Sequence, residues 1–171
     1  MQEMLIYGVS FDLVGKQPIV LLKTAEGNKF LPIWIGHPEA AAILMKLQSQ
    51  AAPRPMTHDL LSDMLEQLGA QVIRITVTEL RENTFYAQIT VVQDGTEIEV
   101  DSRPSDAIAL AIRAEAPIFA ADRVIEESAI EFEGEEVNEE EIVDEFRRFL
   151  DHVTPDEFAV EDEPEPDPDE G

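Results

Sequence analysis

The sequence predicts an α+β fold, and three observations carry that expectation. Apolar and polar residues alternate over several short stretches, the period of half-buried strands. These stretches fall into two groups of three, each followed by helical segments rather than alternating with them. The helices open on proline or a capping residue and stop at glycine or proline. Grouped strands and grouped helices in one chain of 171 residues predict one domain, with helices covering a mostly antiparallel or mixed sheet.

In chain order, Leu5, Tyr7, Val9 and Phe11 alternate with Ile6, Gly8 and Ser10, giving a first strand. Residues 18–24 and 29–35 give two more, joined by the turn residues Ala25-Glu26-Gly27-Asn28. A helix then opens at Gly36-His37-Pro38-Glu39, with His37 at the cap and Pro38 first, and runs to Gln50. Pro53 and Pro55 cannot continue it. Thr57 caps a second helix, with Asp59 in its first turn and Gly69 as terminator. Strands follow at 71–80 and 84–92, and after the Asp94-Gly95 turn at 96–101, where Ile98 and Val100 should point inward. Pro104 then opens a helix whose Ala107, Ile108, Ala109, Leu110, Ala111 and Ile112 leave no polar face, so it should be buried nearly all round. A short helix starts at Asp122.

Landmarks of the first half recur 66 residues later: Leu5 against Gln71, Pro18 against Thr84, Lys29 against Gly95, Pro38 against Pro104, His58 against Val124. That register predicts an internal duplication, β-β-β-α-α repeated with the last helix cut short. The repeated domain should span 1–132. A linker and an amphipathic acidic helix should occupy 133–158, with Ile142, Val143, Phe146, Phe149, Leu150 and Val153 on one face. Residues 159–171, acidic and rich in proline, should be a disordered tail.

Charge follows the same division. The net charge is −25, but residues 1–123 carry −6 and residues 124–171 carry −19. No basic patch marks a nucleic-acid footprint, so contact with phosphates would need help from a metal ion. The absence of cysteine excludes disulfides and thiolate metal sites. No run approaches membrane-spanning length and no basic leader is apparent, so a cytoplasmic protein without membrane association is expected.

Polar residues gather at three helix openings. Asp59 and Asp106, with Glu39 or Asp101, are of the type that binds a hard cation such as Mg²⁺ or Mn²⁺. His58 suits proton transfer near neutral pH, and Arg103 suits bidentate contact with a phosphate. Each also has a structural role open to it. First-turn acids favour the helix dipole by roughly 0.3–1 kcal/mol, and Arg103 could tie the halves together through Asp101, Asp106 or Glu39. Trp34 and Tyr86 read as core or interface rather than as base-stacking platforms. No phosphate-binding loop, dinucleotide fingerprint, zinc-spaced histidine pair or nucleophile elbow is present.

Four stretches together, IWIGHPEAAAI (33–43), PRPMTHDLL (53–61), TFYAQI (84–89) and DSRPSDAIALAIRAEAPIF (101–119), resemble the bifunctional nuclease family. The resemblance covers roughly 1–130, and the ending VTPDEF (153–158) is most similar to actinobacterial members. It implies a compact α+β domain, commonly a homodimer, and plant relatives with DNase and RNase activity. Carried over by motif, it implies catalytic positions at His58 and Asp59 of THDLL and at Arg103, Ser105 and Asp106 of RPSDAIALA. Glu39 stands where the family's helix-opening acid stands. The resulting expectation is metal-dependent phosphodiester hydrolysis, with Glu39, Asp59 and Asp106 as metal ligands. The alternative is a non-catalytic interaction or small-anion-binding module working through the acidic helix and tail.

Overall fold

The computed structural model describes residues 1–12 and 15–131. Strands β1 (Gln2–Asp12), β2 (Gln17–Thr24) and β3 (Lys29–Trp34) precede helices α1 (His37–Leu47) and α2 (Thr57–Gln67). Strands β4 (Ala70–Arg81), β5 (Thr84–Gln93) and β6 (Thr96–Ser102) precede α3 (Pro104–Ala114). Strand β7 (Ile118–Ala120), helix α4 (Asp122–Ser128) and strand β8 (Ile130–Glu131) complete the order. The linker, acidic helix and tail expected over 133–171 lie outside the described residues.

The fold is α+β. Its eight strands form one mixed sheet in the order β6-β5-β4-β7-β1-β2-β3-β8, antiparallel throughout except between β4 and β7. The three residues of β7 join the two groups of strands: Ile118 faces Met4 on one side and Ile75 on the other, and Ala120 faces Gln2 and Val77. Neither β7 nor β8 was expected, because two or three residues are too few to show a period.

Helix α3 is buried as its sequence demands, with Ala107, Ile108, Ala109, Leu110 and Ala111 all at 1% exposure or less. It packs against α1, α2, β4 and β5. Its small residues let these neighbours close in, while Ile108 and Leu110 each contribute about 1.5–3 kcal/mol by burial. A second, smaller cluster of Ile19, Leu21 and Phe30 forms on the other face of β2 and β3, with Tyr7, Trp34 and Ile130 packed on it.

Two strands depart from simple alternation. In β1 the register shifts between Ile6 and Gly8, so Ile6 and Val9 both join the main core while Leu5 and Phe11 are exposed. A bulge of this kind resets which side chains face inward. In β6, Ile98 and Val100 pair with Val91 and Ile89 as an inward row should, yet both are exposed. Strand β6 is the sheet's edge, and α3 packs on β4 and β5 without a comparable contact to β6.

Candidate active site

Helices α1 and α2 begin one residue out of step with the simplest reading of their openings, and α3 begins where expected. Gly36, not His37, is the extended cap residue of α1, so His37 is its first residue and Pro38 its second. Met56, not Thr57, caps α2. Arg103 caps α3, and Pro104 takes the expected first position. The consequence is a shared geometry: Glu39, Asp59 and Asp106 are each the third residue of their helix. There a carboxylate meets the positive end of the dipole and can reach back to the cap.

Two of the three meet. Arg103 donates from Nε to Asp106 Oδ2 at 2.7 Å and from Nη2 to Glu39 Oε1 at 2.9 Å, which joins the openings of α3 and α1. His58, the second residue of α2 and buried, places Nε2 2.9 Å from Asp106 Oδ1. Glu39, Arg103, Asp106 and His58 thus form one connected chain of polar groups drawn from three helices. Burial alone would raise the pKa of Asp106, but the hydrogen bonds and charges of Arg103 and then His58 outweigh it and hold the carboxyl below 3.8. Asp106 is therefore ionised near neutral pH and can only accept, which makes His58 Nε2 the proton donor of that contact. Asp106 and then Glu39 raise the pKa of Arg103 in return.

Glycine at position 36 serves this arrangement through its size. Its φ of −73° is open to any residue, but a Cβ there would overlap the Glu39 carboxylate, which folds back over the cap.

Asp59 belongs elsewhere. Its Oδ2 accepts the Met56 N–H at 2.9 Å and its Oδ1 accepts Arg113 Nε at 2.6 Å. The Met56 hydrogen bond, then Arg113, lowers its pKa. It lines a cleft with Lys46, Gln50, Arg54 and Glu115. Among the described residues no group of three or more His, Cys, Asp or Glu could hold a metal ion. The three-carboxylate set of Glu39, Asp59 and Asp106 is thus not assembled around one point. Ser105 is buried and takes no part in the Arg103–Asp106–His58 chain. His37, exposed, meets the Phe11 ring edge-on.

Sequence reasoning passed over Arg113. Its side chain is 7% exposed, and besides Asp59 it donates to Ala109 O at 2.8 Å and Ala42 O at 3.2 Å. It therefore ties α3 to both α1 and α2. The signal was present: a cation in a helix with no polar face must find a carboxylate, and buried ones are normally paired.

Comparison with known proteins bears on what such a site is for. Residues 20–133 match the bifunctional nuclease domain. The chain belongs to that family. It is 37% identical to an uncharacterised protein of Mycobacterium tuberculosis over 94% of this chain and 99% of that one. It is 29% identical to bifunctional nuclease 1 of Oryza sativa over 61% of this chain but only 33% of the rice protein. Bifunctional nuclease 1 of Arabidopsis thaliana is 28% identical over 59% of this chain and 32% of that protein. The matched region contains every element from β3 to β8, including the whole Glu39–Arg103–Asp106–His58 chain. Among the described residues no helix is long and apolar enough to cross a membrane.

Proposed function

We propose that the opening of α3 hydrolyses phosphodiester bonds in nucleic acid. The observation that carries this reading is the 2.9 Å contact between His58 and Asp106 beside an exposed arginine, in a member of the bifunctional nuclease domain family. Asp106 holds the Nε2 proton of His58, which leaves Nδ1 as the atom that accepts a proton from water; fixing a histidine's tautomer through a carboxylate is a recurrent device for general-base catalysis. Arg103 is 65% exposed and uses two of its five N–H groups on Asp106 and Glu39. The other three are available to a phosphate, where they offset charge developing in the transition state.

Any Mg²⁺ or Mn²⁺ bound here would have to be held by Glu39 and Asp106, the two carboxylates that Arg103 already bridges. That number fits an ion which takes the rest of its shell from water and substrate phosphate. Such an ion would supply Lewis-acid polarisation of a phosphoryl oxygen and a lower pKa for bound water. Asp59, committed to Arg113 and the Met56 N–H, supports the site without joining it. A homodimer accords with the exposed Leu60, Met64 and Leu68, four residues apart along α2 and its C-terminal cap, and sedimentation of the full chain tests it.

The deciding assay is cleavage of single-stranded and duplex DNA and RNA by the full chain. His58→Ala should reduce cleavage by about 10²–10⁴-fold while the protein stays folded. EDTA should abolish it, and added Mg²⁺ or Mn²⁺ should restore it. Cleavage that survives His58→Ala undiminished would place the chemistry elsewhere.

A further inference from the structure

The β4–β5 hairpin carries a second polar cluster. A register shift between Val77 and Glu79 turns Glu79 onto the face of its cross-strand partner Tyr86 and away from Val77 and Ala87, which are buried. Arg81, two residues on, lies over the Tyr86 ring with its guanidinium carbon 4.7 Å from the centroid. Glu79 accepts from Arg81 and, at 2.8 Å, from Arg123 Nη2 of α4; Arg123 also donates to Thr78 O at 3.3 Å. One carboxylate thus orients two guanidinium groups and leaves a net positive charge, in a chain of net charge −25. Both arginines keep an open side to solvent, at 59% and 58% exposure.

The position of this cluster matters as much as its chemistry. Strand β6 ends at Ser102, paired with Ala87 of β5. The next residue on β6's side is Arg103 and the next on β5's side is Tyr86, so the cluster and the α3 opening flank the same end of the sheet. Fixed guanidinium planes and aromatic rings stack unpaired bases, and arginines beside them take the backbone phosphates. A duplex keeps its bases stacked on one another and offers no such face.

We propose that Arg81, Tyr86 and Arg123 form a stacking and phosphate subsite for single-stranded nucleic acid, at the end of the sheet where α3 opens. The subsite extends the hydrolytic reading of that opening and names the strand it would receive. Arg81, held against Tyr86, stacks on a base, and Arg123 contacts a neighbouring phosphate.

The test is fluorescence anisotropy with labelled decathymidylate, decauridylate and a DNA duplex of equal length. The protein is the full chain carrying His58→Ala, so that binding is read without cleavage. Arg81→Gln and Tyr86→Leu should each weaken single-strand binding by about 5- to 150-fold, the range of one stacked base. Tyr86→Phe should bind as the parent does. Arg123→Gln should make the slope of log affinity against log salt shallower by about 0.7, the value of one phosphate contact on a single strand. Circular dichroism confirms that each variant is folded. Parent-like affinity in both Arg81→Gln and Tyr86→Leu overturns the proposal, as does a parent protein that binds neither single strand or prefers the duplex. A chain that cleaves with unchanged KM in Arg81→Gln loses the subsite and keeps the hydrolytic site. A chain that binds through Arg81 and Tyr86 but never cleaves does the reverse.

Discussion

Arg103 and Arg113 sit at opposite ends of α3, and each ties that helix to neighbouring ones through carboxylates. Their surroundings could hardly differ more. Arg103 is two-thirds exposed to solvent and holds Asp106 and Glu39; Arg113 is sealed between α1, α2 and α3 with all three of its nitrogens bonded to Asp59 and two carbonyls. An exposed pair is worth little to stability and can exchange its partner, whereas a buried charge cannot lose its partner cheaply. The same residue type is therefore a solvent-facing group that can exchange its partner at one end of the helix and a structural clamp at the other.

Arg113→Ala should break this comparison most visibly. It removes a buried guanidinium together with its bonds to the half-buried Asp59 and to two carbonyls, and urea denaturation should show a loss of about 1.5–3 kcal/mol. A loss below about 1 kcal/mol would put Arg113 in the same class as Arg103. Acid probes both ends at once and should cost less. Asp59 and Asp106 have folded pKa values below the 3.8 of the unfolded chain, so their contribution is present above that value and is lost as pH falls through the folded ones. Denaturation midpoints across that range should fall, and Arg113→Ala should remove the part due to Asp59. Smallest in stability is Arg103→Ala, at less than about 1 kcal/mol in the same denaturation experiment. Its effect should appear in cleavage instead, about 10²–10³-fold in kcat. Substantial unfolding in this variant would make Arg103 a clamp after all.

How far the sequence could be read follows from the same physics. The strands of residues 18–24 and 84–92 and the buried helix after Pro104 were legible because alternation and unbroken apolar runs report burial directly. Caps shifted by one residue at Gly36 and Met56 because the extended conformation that defines a cap is a backbone property, which His37 and Thr57 only suggested. Asp59 and Asp106 look alike in sequence, each the third residue of a helix. What separates them is which arginine each one meets, Arg113 or Arg103, and that depends on how three helices pack. Tyr86 reads as core or interface and is half-buried, but its pairing with Glu79 was not legible, because the shift past Val77 leaves no trace in the alternation of β5.

The three residues of β7 have a mechanical consequence. Among the described strands they alone pair β4-β5-β6 with β1-β2-β3-β8, and they follow the helix that opens on Arg103 and Asp106. The half-sheets cannot hinge apart without tearing the strand to which that helix is anchored. Partial opening along this line would then dismantle the site and split the core in a single event, so the site should be as durable as the whole domain and no more.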